Sequence, residues 1–155
     1  MRITFTADGL PKGQPRARAF AFGGKAGKKV SVRMYDPGTA EGWKSCVAIA
    51  ARNHLPPEPI TGPISLHLGF RFPRPKSHFT KKGLRPDAAI YVTSKPDADN
   101  AAKAVMDCLT QLGAWKDDAQ IVALEVMKVY GDKPGCDVSI GTLPLSWNSH
   151  EEKAR

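Results

Sequence analysis

Apolar and polar residues alternate from Arg2 to Ala7, with Ile3, Phe5 and Ala7 on one side and Arg2, Thr4 and Thr6 on the other. That period of two predicts a half-buried strand. Ile64 to Phe72 repeats it: Ile64, Leu66, Leu68, Phe70 and Phe72 share one face, and Ser65, His67, Gly69 and Arg71 the other. His67 therefore reads as an exposed strand histidine. Between these strands the period becomes helical. Trp43, Cys46, Val47, Ala50 and His54 mark one face, Thr39 is placed to cap the start, and Glu41 suits the first turn. Leu55-Pro56-Pro57 ends this helix, and His54 at its end reads as a capping or packing residue. A second helix is predicted from Asp97 to Leu112, with Ala101, Val105, Cys108, Leu109 and Leu112 as its apolar stripe and Gly113 as its stop. The run Ile121 to Tyr130 is mostly apolar and predicts a strand buried on much of both faces. Gly131 to Gly135 reads as a turn. Cys136 to Leu143 reads as a last strand with Val138 and Ile140 inward.

The order is βαβ, then αββ. This is a mixed α/β (α+β) domain, a small mixed sheet packed with two main helices, over residues 1–145, followed by a polar tail at 146–155. A length of 155 residues suits one such domain. No run approaches the ~18 apolar residues of a membrane span, and the first residues lack the apolar stretch of a signal peptide. A cytoplasmic protein with no membrane partner is expected. Cys46, Cys108 and Cys136 are odd in number and far apart, so they read as reduced, buried thiols.

Charge changes the picture. Lys plus Arg number 23 and Asp plus Glu 15, a net charge of +8. Such an excess points to a polyanionic partner, commonly nucleic acid. It collects in two segments rich in Gly and Pro. Residues 8–33 read as a flexible basic arm or hairpin, and residues 73–96 as a second basic loop, too long for a mere connector. Arg16, Arg18, Lys28, Lys29, Arg74, Lys76, Lys81, Lys82 and Lys95 are the candidate nucleic-acid contacts. Phe79 and Tyr91 in the second loop could stack on unpaired bases or pin the loop to the domain.

Against this basic background, five of the fifteen acids crowd into residues 97–118: Asp97, Asp99, Asp107, Asp117 and Asp118. Asp97 can cap the second helix. Asp99, Lys103 and Asp107 follow at four-residue spacing and share a face, and Asp117 or Asp118 can reach the helix start if helix and following strand pack together. Two readings stay open. One is a cap plus an intrahelical ion-pair ladder. The other is a site for a hard divalent cation, which takes oxygen ligands from one or two carboxylates plus water and phosphate.

The spaced set Asp97-x-Asp99-Asn100-x-x-Lys103-x-x-x-Asp107-x-Leu109, then Trp115-x-Asp117-Asp118-x-Gln120-Ile121-Val122, resembles the RusA family of Holliday-junction resolvases from bacteria and phages. The likeness is strong over residues 95–130 and holds only in element order over 1–72. The two basic segments are long for the family, and the tail lies outside its pattern. The resemblance implies a homodimeric endonuclease that cuts four-way DNA junctions symmetrically with Mg²⁺ or Mn²⁺ and no organic cofactor. It implies Asp97, Asp99 and Asp118 as catalytic metal ligands, water activated by the cation as nucleophile, Lys103 at the scissile phosphate or holding the aspartates by pairing, and supporting roles for Asp107 and Asp117. The rival expectations are a non-catalytic DNA-binding module and a nuclease acting on flaps or RNA.

Overall fold

The computed structural model describes residues 1–15, 18–22, 31–35 and 40–145. The predicted strands and helices are present, with altered edges. β1 spans Arg2–Asp8; β2 (Arg18–Phe22) and β3 (Ser31–Tyr35) form a separate antiparallel pair; α1 spans Glu41–Ala51 and β4 Ile64–Pro73. A minimal hairpin follows, β5 (Phe79–Thr80) with β6 (Gly83–Leu84), then α2 (Ala98–Gln111), β7 (Ile121–Gly131) and β8 (Gly135–Thr142). The basic arm thus contains a hairpin, β2–β3. The predicted tail lies outside the described residues. Ala40, not Thr39, occupies the N-cap of α1, and Thr39 also lies outside the described residues. The helix closes at Ala51, so His54 lies in the turn beyond it. There its Nδ1 meets Ala50 O at 3.0 Å and its ring packs on Phe5.

The main sheet has the order β1-β8-β4-β7, antiparallel except for the β4–β7 pair. Register sets its inner rows: Ile3–Ile140–Leu66–Leu124, Phe5–Val138–Leu68–Val126, and Ala7–Cys136–Phe70–Lys128. All but the β7 members of these rows are buried. Against them α1 places Trp43, Val47 and Ala51, and α2 places Val105, Cys108, Leu109 and three alanines. Small residues on α2 let the helix approach closely, which suits dense packing. At Gly113, with φ 78°, the chain leaves α2 in the left-handed conformation that glycine adopts without strain.

β7 corrects the sequence reading. It is an edge strand, and Val122, Leu124 and Met127 are exposed. Apolar content alone cannot distinguish a strand covered on both faces from one at an uncovered edge, and here both helices lie on one face of the sheet. The outer face is polar and open, with a cleft of about 550 Å³ remote from the clustered aspartates.

Cys108 and Cys136 are buried and Cys46 is half-buried. Burial pushes the Cys136 thiol up from its ordinary 9.0 to about 12 and raises that of Cys108 as well. Thiolate is the reactive form. Iodoacetamide at pH 8 is therefore expected to modify Cys46 first and to spare Cys136 until denaturant is added; native alkylation of Cys136 would contradict this placement. The raised value means the folded state holds this proton more tightly. Its stabilising contribution is present below pH 9 and is lost as pH rises toward 12.

Candidate active site

Among the described residues no polar or charged residue is fully buried, so the polar chemistry lies at the surface. Asp97 occupies the N-cap of α2 in extended conformation, yet its carboxylate makes no capping bond. An N-cap aspartate ordinarily spends one oxygen on the first-turn amides. Here the carboxylate keeps both oxygens while still sitting in the favourable field of the helix start. The approach to Asp97 is braced from below. Lys128, on the inner face beyond Phe70, donates to Ser94 O and Pro96 O, both at 2.7 Å. From the other side Gln14 N donates to Asn100 O at 2.9 Å. A Cβ at Gly13 would lie 3.1 Å from Pro96 and 3.2 Å from Asn100, so this approach leaves little room for a larger residue. Between these segments opens a cleft of about 630 Å³ lined by Lys12, Gln14, Lys95, Asp97 and Asn100.

Asp99 is exposed on the first turn of α2. The expected Asp99–Lys103–Asp107 ladder is only half built, because Lys103 turns to Asp107 at 2.9 Å. Among the described residues neither Asp97 nor Asp99 has a side-chain hydrogen-bond or ion-pair partner. The Asp107 carboxylate raises the Lys103 ammonium above its ordinary value, opposed by partial burial and aided by the charge of Asp118. Lys103 therefore stays protonated at neutral pH.

Asp118 opens a short 3-10 turn, Asp118–Gln120, that leads into β7. One carboxylate oxygen accepts from the Thr110 hydroxyl and, at 3.2 Å, from Trp115 Nε1; Trp115 Nε1 also donates to Thr110 Oγ1 at 2.7 Å. This corrects one sequence reading: Asp118 is tied to the last turns of α2, not to its beginning. Asp117 shapes the same turn. Its carboxylate accepts from Ala119 N at 2.7 Å, while Gln120 Oε1 accepts from Lys116 N and Asp117 N, a reciprocal capping box. Gln120 Nε2 then donates to Ile60 O and Gly62 O, tying the turn to the chain before β4. Thr110 and Lys128 are not among the sequence candidates, and Gln120 stands in the spaced pattern with no role assigned, because their contacts join segments far apart in the chain or across a helix end.

The donor chemistry fits a hard cation: carboxylates only, two of them without a side-chain partner among the described residues and a third oriented by neutral donors. The spread fits a hydrated ion on one or two carboxylates, as Mg²⁺ is commonly held. It does not make a three-ligand cage, since among the described residues no three His, Cys, Asp or Glu side chains converge on one point.

Of the basic candidates, Lys76, Lys81, Lys82 and Lys95 are exposed and Arg74 is half-buried. Arg74 donates to Ala89 O at 2.9 Å and lies over the Tyr130 ring. Arg16, Lys28 and Lys29 fall outside the described residues, and Arg18 is described only as part of β2. Among the described residues no helix is long and apolar enough to cross a membrane.

Comparison with known proteins bears on the same segments. A family model described as endodeoxyribonuclease RusA matches residues 8–141. The chain is 38% identical over 141 residues to uncharacterized protein YqaN of Bacillus subtilis, covering 89% of this chain and 94% of that protein. It is 44% identical over 50 residues to a crossover junction endodeoxyribonuclease, RusA, of Lactococcus phage r1t, covering 32% of this chain and 38% of that protein.

Proposed function

We propose that this chain, which belongs to the endodeoxyribonuclease RusA family, resolves four-way DNA junctions by divalent-metal-dependent, paired phosphodiester hydrolysis. The observation that carries this reading is the state of its acids. In a chain of net charge +8, a structural role for Asp97 and Asp99 would pair them with the abundant lysines. Yet Lys103 bonds Asp107, and Asp97 opens onto a cleft lined by Lys12 and Lys95. Exposed carboxylates that have no partner among the described residues, in a basic chain, suit a cation that bridges protein and phosphate.

In this reading Asp97 and Asp99 hold the cation, while Asp118, its oxygen oriented by Thr110 and Trp115 at the other end of α2, lies beyond the reach of that ion and would serve a separate hydrated one. The ion, Mg²⁺ or Mn²⁺, would neutralise phosphate charge and make hydroxide accessible near neutral pH. Lys103, held protonated, would stabilise charge developing on the scissile phosphate, with Asp107 fixing its position. Lys12 and Lys95 would hold the flanking backbone. Two symmetric cuts suit a two-fold homodimer.

The test is a labelled synthetic four-way junction, with linear duplex as control, incubated with Mg²⁺, with Mn²⁺ or with EDTA, and the protein's mass followed by light scattering. Paired nicks confined to the junction, lost in EDTA and made by a dimer, are expected. Tight, steeply salt-dependent binding with no cut under any metal condition would replace this reading with a non-catalytic DNA-binding module.

A further inference from the structure

We infer that the hairpin β5–β6 is a finger that reads unpaired bases, with Phe79 as its stacking platform and Lys81 and Lys82 as its phosphate contacts; this rests on the nucleic-acid reading above.

The finger is built to hold its shape without covering its apolar side chains. Phe79 and Leu84 are cross-strand partners, and Thr80 faces Gly83, which leaves Lys81 and Lys82 as the two tip residues. The tip is braced from within: Lys82 N donates to Thr80 Oγ1 at 3.2 Å, the Thr80 hydroxyl donates to Gly83 O at 3.3 Å, and Gly83 takes φ 113°, a conformation side chains rarely adopt. The base is anchored. Arg85 N donates to His78 O at 2.9 Å, the His78 ring stands edge-on to Tyr130 at 4.8 Å, and Arg74 reaches Ala89 O. His78 and Arg74 thus do the pinning that the aromatic residues of this loop could have done. Phe79 remains 47% exposed and Leu84 50%. An apolar pair held out on an anchored hairpin is open to a partner surface.

Charge chooses the partner. Lys76, Lys81, Lys82 and Arg85 flank the pair in the chain, and the one acid between Pro73 and Pro96, Asp87, is engaged by Arg85 through two bonds of 2.9 and 2.8 Å. An aromatic ring beside lysines that form no ion pair among the described residues matches a base face flanked by backbone phosphates. The same segment continues through Tyr91 and Val92, which pair with β7, into Lys95-Pro96-Asp97. A nucleic acid held at the finger therefore lies along the chain that leads to the candidate acids. Paired duplex hides its base faces, so the finger would select branched or locally unpaired DNA.

The experiment measures binding of the full chain by fluorescence anisotropy, in EDTA so that no cutting intervenes. The probes are a duplex with a central loop of unpaired thymines, the fully paired duplex, and vesicles of phosphatidylserine and phosphatidylcholine. Phe79→Ala is expected to weaken binding to the looped probe about tenfold, in line with the effect of losing one base–aromatic stack, and to leave the paired duplex unchanged. Phe79→Tyr should restore the preference. Lys81→Ala with Lys82→Ala should weaken both DNA probes and reduce the salt slope by about two. Phe79 is half exposed on a two-residue strand, and an unchanged melting temperature would verify that its variants fold. Equal weakening of both DNA probes, no effect on either, or Phe79-dependent binding to vesicles with none to DNA would each overturn the inference. Because cleavage is not read, its failure is separable from that of the nuclease: a chain that cuts junctions but ignores Phe79 loses only the finger, and one that discriminates through Phe79 but never cuts loses only the nuclease.

Discussion

Asp99→Asn is expected to lower the rate of junction cleavage by about 10²–10⁴-fold while junction binding stays the same or tightens. A cation acting on phosphate contributes several kcal/mol to the transition state, and each ~1.4 kcal/mol is a factor of ten. The substitution removes a charged ligand and keeps the side-chain shape. It also removes a negative charge from a surface that must meet phosphate, so binding has no reason to fall. Stability should change by no more than about 0.5 kcal/mol, the usual range for an exposed position, because Asp99 is exposed with no side-chain partner among the described residues. Single-turnover cleavage and gel-shift affinity on the same junction, with a melting curve, read all three quantities. Undiminished cleavage would return Asp99 to a solvated helix face and remove the main support for the metal reading.

A second large effect is expected at Trp115. The side chain is 1% exposed, its backbone bridges to Ile60, and its indole N–H points at Thr110 and Asp118. Trp115→Ala should cost about 3–5 kcal/mol, as emptying a buried aromatic site does. At roughly 2–4 °C per kcal/mol for a domain of this size, that is about 6–20 °C in melting temperature. Trp115→Phe separates packing from orientation. It keeps most of the apolar volume but removes the donor that helps aim Asp118. Its melting temperature should fall much less than that of the alanine variant, while cleavage falls by more than its stability loss explains. A phenylalanine variant with full cleavage would make Trp115 a core residue only and leave Thr110 as the sole neutral donor orienting Asp118.

Trp115 also marks where sequence reading reached and where it stopped. Its place in the spaced Asp97–Val122 pattern was legible, as were the strands at Arg2 and Ile64, both helices and the inward Val138 and Ile140. These signals are local. Side-chain period follows backbone geometry, so alternation names a strand and a 3.6 repeat names a helix before any partner is known. β7 was misjudged for the complementary reason. Val122, Leu124 and Met127 belong to an apolar run long enough for a strand, but whether a strand is central or at the edge depends on which neighbours pair and which face the helices cover. The acids divide in the same way. Their crowding in a basic chain, and the shared face of Asp99, Lys103 and Asp107, were visible from spacing alone. That Lys103 would choose Asp107, that Asp97 would not cap its helix, and that Asp118 would be tied to Thr110 instead of to the start of α2 were not.

The sequence by itself determined the element types, the charge that calls for a polyanion, and the set of carboxylates available for chemistry, because each depends on residue identity and short-range period. Tertiary structure decided which of those groups are committed to one another. Lys128 reaches Ser94 and Pro96 only because β4–β7 pairing sets it beneath the start of α2, and Phe79 stays exposed only because His78 and Arg74 hold its loop against Tyr130. Such commitments are contacts between segments distant in the chain, settled by sheet register and packing, and no local pattern encodes them.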